Sequence, residues 1–259
     1  MSFESVREAI RAIARGELVV VADDDDRENE GDLILAASAA TPEKLSFMVR
    51  HTSGVICVAA SSERLAELEL PLMVPRNEDS HQTAFTVSVD YRHGTTTGIS
   101  SADRSATIRA LADTNTSPRD LTRPGHVFPL RAQPNGVLAR AGHTEAAVDL
   151  AKLAGLPALG ALAEVVNEDG SMARRPELVR FAREHGLVYT TIAELVIYRQ
   201  WLEEAARCIS SVAQAAVTQQ RSPIGASLAG LSTRESPSPA RSAASARLLH
   251  EAALSLETP

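Results

Sequence analysis

The apolar residues of this chain fall in short runs, and this pattern limits the folds open to the chain more than any other feature. Segments such as "ELVVVA", "LILAA" and "VICVAA" have the length of buried strands, and "FTVSVD" (Phe85 to Asp90) alternates like a half-buried one. "LGALAEVVN" and "LVYTT" predict two more strands. Helical segments separate some of these strands but not others, so the order is not a strict βα alternation. The pattern therefore predicts an α+β fold rather than a doubly wound parallel sheet.

Helical segments are indicated by apolar spacing and by residues that favour helix ends. "MSFESVREAIRAIARGE" has helical spacing, and Thr41 followed by Pro42 is a typical helix start. Ser101 and Thr144 are placed to cap the helices "ADRSATIRALAD" and "EAAVDLAKLAG". Further helices are predicted at "SERLAEL", "PELVRFAREHG" and "IAELVIYRQWLEEAA". The turn "QPNG" predicts a hairpin between "GHVFPLRA" and "GVLAR".

The composition changes after Trp201, the last aromatic residue of the chain. Ser, Ala, Pro and Gln dominate the segment that follows, which offers little surface for a core. We expect residues 1–207 to form one compact domain and residues 208–259 to form a disordered low-complexity tail. "ARLLHEAAL" is a candidate short amphipathic helix within that tail. A tail with a binding role is the alternative.

Charge and cysteine content narrow the cellular setting. The net charge of −7 is unfavourable for binding nucleic acid, whose phosphates require a basic face. Cys57 and Cys208 are far apart and lack C-x-x-C spacing, which is typical of a reducing compartment. The first residues lack the apolar core of a signal peptide, and no window approaches the roughly eighteen apolar residues of a membrane span. We expect a cytoplasmic protein with neither nucleic acid nor membrane as a partner.

Acidic residues crowd the segment "DDDDRENEGD", directly after the apolar run "ELVVVA". Charge runs are commonly solvated loops, but crowded carboxylates repel one another unless a cation neutralises them. Glu28, Glu30 and Asp32 alternate, which in an extended segment puts them on one face, with Arg27 and Asn29 on the other. Hard cations such as Mg²⁺ prefer carboxylate oxygens. Taken alone, the run leaves a divalent-cation site and a solvated loop equally open.

A histidine in the segment "RPGHVFPL" is a candidate for chemistry. Pro124 and Gly125 fix the turn before His126, which is expected where a strand begins. A lone histidine is more often structural than catalytic. That structural interpretation is given to His51, His81, His93, His185 and His250.

The segment "RAGHTEAAVDL" combines features of an anion site. Gly142 permits close backbone approach, and the amides that open the helix near Thr144 form a phosphate or oxyanion cradle. Arg140 adds a guanidinium suited to forked phosphate contacts, and His143 beside the cradle is a candidate metal ligand or proton shuttle. Ordinary capping by Thr144 is the alternative.

Glu164 is a carboxylate among apolar residues in "GALAEVV". Such a residue usually faces outward; facing inward, its pKa would rise toward the range useful for acid–base catalysis. A carboxylate cluster, two histidines presented by glycine, a phosphate cradle and this glutamate together suit metal-assisted enolisation of a sugar phosphate.

These motifs closely resemble the 3,4-dihydroxy-2-butanone 4-phosphate synthase family of riboflavin biosynthesis. The resemblance covers roughly residues 5 to 205 and rests on motifs in the family's order and spacing: "DDDDRENEGDLI", "TSGVICV", "FTVSVD", "TTTGISSADR", "RPGHVFPLRA", "GHTEAAVDLAKLAG" and "NEDGSMAR". It implies a single compact catalytic domain with a mixed β-sheet flanked by helices. It also implies a homodimer with active sites near the subunit interface.

The resemblance implies a lyase that converts D-ribulose 5-phosphate to 3,4-dihydroxy-2-butanone 4-phosphate and formate. Mg²⁺ (or Mn²⁺), with two ions per site, would assist enolisation before dehydration, skeletal rearrangement and loss of C4. The roles implied for individual residues rest on the matching motifs. Glu28 and His143 would bind metal, and His126 and Glu164 would be catalytic. The expected substrate contacts are Arg27, Glu28, Asp32, Arg140, Ala141, Gly142, His143, Thr144 and Glu164. Glu30, Cys57 and Thr97 are expected to line the site.

The chain also departs from the family pattern. Ala141 replaces a glycine of the family motif and would crowd the cradle if its backbone required positive φ. The residues Asp23 to Asp26 vary in the family and are interpreted as a solvated strand exit, with "RENEGD" as the functional half. Many relatives continue into GTP cyclohydrolase II, a zinc enzyme with cysteine ligands. Because Cys208 is the only cysteine after Cys57, we expect a monofunctional protein.

Two alternatives remain open from the sequence. Another Mg²⁺-dependent sugar-phosphate isomerase or lyase would use the same groups, and only substrate assays separate it. A non-catalytic homologue that binds a metabolite or acts as a scaffold is the alternative outside enzymes. The presence of Glu28, Asp32, His126, His143 and Glu164 is evidence against it.

Overall fold

A computed structural model describes residues 3–220 of the protein, with side chains through residue 211. The chain divides at Tyr198 into two compact units. The first unit contains a seven-stranded sheet and helices α1–α6. Of the second unit, the structure describes residues 199–220, which are helical.

The sheet is mixed, with the strand order β4-β5-β3-β6-β2-β1-β7. The β1–β7 and β3–β5 pairs are parallel and the other four pairs are antiparallel. This arrangement confirms the predicted α+β class. The strands are β1 Val19–Ala22, β2 Gly31–Ala36, β3 Cys57–Ala60, β4 Val89–Tyr91, β5 Leu121–Arg131, β6 Gly160–Glu164 and β7 Val188–Thr191.

Seven α-helices accompany the strands in the described part of the chain, together with three single turns of 3₁₀-helix. Thr41 accepts a hydrogen bond from the Lys44 amide at the start of α2, as its Thr-Pro sequence predicts. The helices are α1 Glu4–Ala14, α2 Pro42–His51, α3 Ser62–Glu67, α4 Ser101–Ala112, α5 His143–Leu153, α6 Arg175–Glu184 and α7 Ile192–Gln220.

The two faces of the sheet pack against different helices. One face contributes Leu33 and Val58 to the main core, where they meet residues of α2, α4 and α6. Helices α1 and α5 cover the other face. Successive side chains of a strand point to opposite faces, so Asp32, next to Leu33, and Cys57, next to Val58, lie on the α5 side. The alternation of apolar and polar positions at these strand ends therefore directs polar groups toward one helix terminus.

Three local predictions are wrong. No hairpin follows β5: Gly136–Leu138 forms a 3₁₀ turn, because the carboxylate of buried Asp149 accepts the Val137 amide. Thr144 is not a cap: α5 begins at His143 and its N-cap is Gly142, without a side-chain hydrogen bond. The predicted cap of α4, Ser101, is its first helical residue, and the capping side chain belongs to Ser100.

The strand predicted at Phe85 to Asp90 is largely irregular. Only Val89–Tyr91 forms a regular strand, and Phe85 and Thr86 make isolated bridges with Leu130 and Leu72. The segment lies beside the end of β5, where the Thr86 amide donates to the Pro129 carbonyl oxygen, but its pairing is divided between β5 and Leu72 and so does not form a continuous ladder.

Helix α7 continues past the predicted domain boundary near residue 207, so residues 208–220 are helical. The remainder of the predicted tail, residues 221–259, lies outside the described residues, as do "ARLLHEAAL" and His250. None of the helices described between residues 3 and 220 has the length and apolar character needed to cross a membrane.

Candidate active site

Several strand ends meet the first turn of α5 at one edge of the sheet. Asp32 pairs with Glu164 where β2 begins and β6 ends, and Cys57 at the start of β3 pairs with Leu162 of β6. Above them α5 begins at His143. The amides of a first helical turn have no intrahelical partner and favour anionic groups. This edge therefore combines carboxylates with a site of positive backbone potential.

A cavity of about 420 Å³ opens at this edge. Nine of the residues predicted for the site line it: Arg27, Glu28, Glu30, Asp32, Cys57, Arg140, His143, Thr144 and Glu164. Five residues that were not predicted for the site line it as well: His81, Thr83, Phe85, Leu130 and Leu162. Four predicted residues do not line it: Thr97, His126, Ala141 and Gly142.

The acidic run is a tight turn organised by its first carboxylate. Asp23 is buried, and its oxygens accept the amides of Glu28 (3.0 Å) and Glu30 (2.8 Å). The solvated interpretation is therefore wrong for Asp23, whereas Asp24 and Asp26 are exposed as expected. A carboxylate that follows a buried strand can satisfy the amides of the next turn, and burial then follows from those bonds.

The prediction that Arg27 and Asn29 project away from the acidic side chains is wrong for Arg27. Its Nη1 lies 2.9 Å from Asp23 Oδ2 and 2.8 Å from Glu28 Oε2, and it lines the cavity. The segment is not extended, because Asn29 adopts a left-handed φ of 54°. The turn brings Arg27 and the carboxylates to the same side.

His143 lies between two carboxylates of the acidic segment. Its Nδ1 is 3.4 Å from Glu28 Oε2 and 3.8 Å from Asp32 Oδ1. Ligand atoms of Asp23, Glu28 and His143 lie within 4.8 Å of one another, a grouping that could hold a metal ion. Within the described part of the chain, Asp32 Oδ1 and His143 Nε2 are buried without a hydrogen-bond partner. Such orphaned polar atoms are costly in a folded protein unless a ligand satisfies them.

The protonation equilibria of these groups are strongly perturbed. A hydrogen bond from His143 lowers the pKa of Glu28 to about 2, against the opposing effect of burial. Burial raises the pKa of Asp32 to about 7. Burial disfavours the charged form of His143, but Asp32 and Glu28 outweigh it and raise its pKa to about 9. A proton on the imidazole thus offsets carboxylate charge that a divalent cation would neutralise in its place.

The cradle has the close approach that the sequence predicted at Gly142. A Cβ at this position would lie 2.3 Å from Arg140 Nη1, so a larger residue would displace the guanidinium from its place. Arg140 is held by Glu145 (Nη1 to Oε2, 2.7 Å) and by the carbonyl oxygen of His81 (3.0 Å from Nη2). Ala141 is exposed and does not adopt positive φ, so its methyl group leaves the cradle unobstructed.

Glu164 and Cys57 form the floor of the cavity. Glu164 is half-buried, and its Oε2 accepts a hydrogen bond of 2.6 Å from Ser53 Oγ. Burial raises the pKa of the Cys57 thiol, so it remains neutral near pH 7 and is not a thiolate nucleophile. Cys57 contributes an uncharged wall, and Glu164 contributes an oriented carboxylate.

His126 lies inside β5 rather than at its beginning, and its surroundings differ from those of the cavity. Its Nδ1 is 2.7 Å from Asp90 Oδ2, and its amide donates to Asp90 Oδ1 at 2.9 Å. This pairing leaves Nε2 free to act, in a side chain that is 42% exposed. Phe128, two residues after His126, pairs with Cys57, so His126 lies on the same face of the sheet as the cavity. Its strand, β5, is two strand spacings, or about 10 Å, from β6, which carries Glu164.

Sequence reasoning missed two loop residues of the cavity and gave one of them a structural role. His81 Nδ1 lies 4.0 Å from Glu28 Oε1, and Thr83 Oγ1 is 3.4 Å from Arg140 Nη2. Both residues belong to the irregular segment before Phe85, which has no periodicity that indicates a site. The positions of His81 and Thr83 in the cavity depend on their contacts with Arg140, which is distant from them in sequence.

Comparison with known proteins decides the family. A family model described as 3,4-dihydroxy-2-butanone 4-phosphate synthase matches residues 7–198. The chain belongs to this family. It is thus an enzyme of riboflavin biosynthesis, as the motifs predicted. The synthase of Agrobacterium fabrum (strain C58) is 57% identical over 198 residues, which cover 76% of this chain and 93% of that protein. The synthase of Cronobacter sakazakii is 52% identical over 205 residues, with coverages of 79% and 94%.

Solved structures of synthases share the fold. A crystal structure of a 3,4-dihydroxy-2-butanone 4-phosphate synthase with two magnesium ions is 47% identical and covers 74% of this chain and 95% of that chain (TM-score 0.72). A cation-free form is 44% identical and covers 78% and 100% (TM-score 0.73). A bifunctional riboflavin biosynthesis protein of Arabidopsis thaliana is 55% identical over 200 residues, but this chain matches only 37% of its length.

Proposed function

We propose that this synthase converts D-ribulose 5-phosphate to 3,4-dihydroxy-2-butanone 4-phosphate and formate with Mg²⁺ (or Mn²⁺), two ions per site. The observation that carries the proposal is the grouping of Asp23, Glu28 and His143 beside a cavity of about 420 Å³ lined by arginines and carboxylates. It fits a small, polyhydroxylated anion together with divalent cations.

The residues present fit the metal. Glu28 and His143 would hold it, with the orphaned Oδ1 of Asp32 within reach. The relative that binds two magnesium ions supports two ions here as well. When bound, Mg²⁺ would polarise the carbonyl and hydroxyl oxygens of the sugar and so lower the energy of an enediolate.

The remaining groups would bind the sugar phosphate and move its protons. Arg27 and Arg140 offer guanidinium donors to the phosphate and hydroxyl groups, and the first-turn amides at Thr144 offer further donors. A carboxylate or imidazole would take a proton from C3, and an acid would help to expel the C1 hydroxyl as water, so that C1 becomes the methyl carbon of the product. That water returns when C4 leaves as formate, so the atoms of the substrate are conserved. We assign the catalytic roles to Glu164 and His126.

A homodimer would reconcile the role of His126 with its place outside the cavity of its own subunit. His126 packs beside Gly98, where an added Cβ would lie 2.7 Å from its Nδ1, and the neighbouring Thr97 and Ile99 are exposed. Ile99 is 51% exposed and Val55, just before β3, is 45% exposed. Association of two copies would cover these apolar side chains and would carry His126 and Thr97 to the partner's cavity.

The test of function is a direct product assay. Purified protein incubated with D-ribulose 5-phosphate and Mg²⁺ should release formate, and EDTA should stop the release. Excess Mg²⁺ should then restore it. A folded, metal-loaded protein that produces no formate would contradict the proposal, whereas formation of another sugar phosphate without formate would indicate an isomerase.

The assigned residues can be tested by substitution. His126→Ala and Glu164→Ala should each abolish formate release while leaving the melting temperature nearly unchanged, because both side chains are partly exposed. A large loss of melting temperature would instead indicate that these residues support the fold. Ser46→Ala is a matched control, because Ser46 lies on α2 outside the cavity and its hydroxyl accepts a hydrogen bond from Arg50 Nη2 on the same helix.

We propose a single activity within these 259 residues. A cysteine-ligated zinc site requires several thiolates, and Cys208 is the only cysteine after Cys57. Incubation with GTP and Zn²⁺ should therefore yield no formate, while D-ribulose 5-phosphate does.

A further inference from the structure

Arg174 joins the segment after β6 to the acidic turn. Its Nη1 donates to the carbonyl oxygens of Glu28 (2.9 Å) and Asn29 (2.5 Å), and it lies 3.8 Å from Glu30 Oε1. The bonds connect residues that are far apart in sequence. A guanidinium stays charged at every accessible pH, so these bonds are charge-assisted throughout the working range.

The backbone of Arg174 is fixed on both sides. Before it, the Ala173 amide donates to the Val165 carbonyl, and Val165 follows Glu164 at the end of β6. After it, α6 begins, and the Arg174 amide donates to Glu177 Oε2 at 3.1 Å. The guanidinium therefore extends from a backbone that is hydrogen-bonded to the residue directly after the strand bearing Glu164.

The acidic turn is held from two directions. The Asp23 carboxylate accepts hydrogen bonds from the amides of Glu28 and Glu30. The Arg174 guanidinium donates hydrogen bonds to the carbonyl oxygens of Glu28 and Asn29. The left-handed residue Asn29 lies between these anchors. With its amide and carbonyl both bonded, the backbone of Glu28 has little freedom to rotate its carboxylate away from His143, 3.4 Å distant.

We propose that Arg174 is a positioning residue, which holds the turn at residues 28–30 in the conformation that binds the divalent cation. Arg174 contacts the turn through backbone oxygens, so it acts through Glu28. This role depends on the proposed metal site at Glu28 and His143, and Arg174 lies outside that set of ligands. Loss of the guanidinium would free the turn. Substitution of a residue that orients a metal ligand without binding the metal itself typically lowers the metal affinity by about 10–100-fold.

The experiment measures metal binding directly on the full-length protein. Mn²⁺ titrations followed by electron paramagnetic resonance should give an affinity about 10–100-fold lower for Arg174→Ala than for the wild type. Added guanidinium ion, at concentrations that do not denature the protein, should restore part of the affinity of Arg174→Ala and leave the wild type unchanged. Arg174→Lys, which keeps a charge and three donors, should lie between the two.

Arg180→Ala is the matched control, because Arg180 lies on α6 in an exposed pair with Glu184. It should bind Mn²⁺ like the wild type. Wild-type affinity in both Arg174→Ala and Arg174→Lys would overturn the proposal. Weak binding that guanidinium fails to improve, in variants with a lowered melting temperature, would also overturn it in favour of a purely structural role.

Formate assays separate this inference from the function itself. If the wild type binds Mn²⁺ but makes no formate, the proposed reaction fails, while the comparison of metal affinities still tests Arg174. If the wild type makes formate, Arg174→Ala should need a higher Mg²⁺ concentration for half-maximal rate, with kcat at saturating Mg²⁺ reduced less than the affinity.

Discussion

At the scale of single residues, neighbouring aspartates of one acidic run have opposite environments. Asp23 is buried and bonds two amides of the turn, whereas Asp26 is exposed. The difference follows from position: Asp23 directly follows β1, so the turn closes over its carboxylate. A charge run is therefore not a uniform unit, and its functional part has to be identified residue by residue.

Asp23→Ala should weaken Mn²⁺ or Mg²⁺ binding by about 10–100-fold, because it removes a candidate ligand and the support of Glu28 together. It should also lower the free energy of unfolding by about 1–3 kcal/mol, since two partly buried amides lose their acceptor. Isothermal titration with metal and chemical denaturation would measure the two effects. Asp26→Ala is the control and should change neither; equal effects of the two substitutions would contradict the prediction.

At the scale of secondary-structure elements, the ends of α2 and α6 meet in a cluster of aromatic rings. His51 at the end of α2 and His185 just after α6 have ring centroids 4.9 Å apart. Phe47 and Phe181 pack against both histidines. Burial lowers the pKa of His51, and the charges of His185 and Arg50 lower it further. The structural interpretation of these two histidines agrees with this packing.

The lowered pKa of His51 predicts a loss of stability in acid. The unfolded chain binds a proton near pH 6.5 while the folded state resists it, so stability falls as the pH drops below that value. The loss is complete once the pH is below the folded pKa. In His51→Phe, which keeps an aromatic ring, the melting temperature should fall less between about pH 7.5 and about pH 5. An unchanged pH dependence would contradict this prediction.

At the scale of the whole molecule, a site shared between subunits would allow two inactive variants to complement each other. If His126 serves the partner's cavity, a His126→Ala and Glu164→Ala heterodimer has one intact site and one that lacks both groups. Random exchange of equal amounts should restore roughly a quarter of wild-type activity. The variants would be mixed, allowed to exchange subunits and assayed for formate.

The separate variants are the controls for this experiment, and light scattering should report a dimer for each. Continued inactivity after verified subunit exchange would contradict the shared site. A monomer with full activity would contradict the dimer as well.

The second prediction at this scale concerns the end of the chain. Deleting residues 208–259 should leave kcat/KM for D-ribulose 5-phosphate within about twofold, because the cavity and its supports lie within the first 198 residues. Truncation after Gln220, which keeps the described length of α7, is the matched control. Loss of activity in both truncations would show that the tail takes part in function.

Most of the strands and helices, and the chemical groups that they carry, follow from local patterns in the sequence. Short apolar runs determine strands because a strand of that length buries itself within a sheet, and "RENEGD" and "GHTEA" place carboxylates and an imidazole beside strand and helix ends. Those signals are local, so the sequence alone predicts Glu28, Asp32, Arg140, His143 and Glu164 as candidate site residues. Their convergence in one cavity follows from β2 pairing with β6 under α5.

The burial of polar groups, and the groups that they contact, depend on the tertiary structure. The burial of Asp23, the place of His81 in the cavity and the contact of Arg174 with the acidic turn all depend on segments distant in sequence. The same holds for the start of α5, where Gly142 is the N-cap and Thr144 lies inside the helix, so Thr144 has no capping role. Side-chain chemistry is a property of a residue, but desolvation and hydrogen bonding depend on neighbours that only the folded chain supplies.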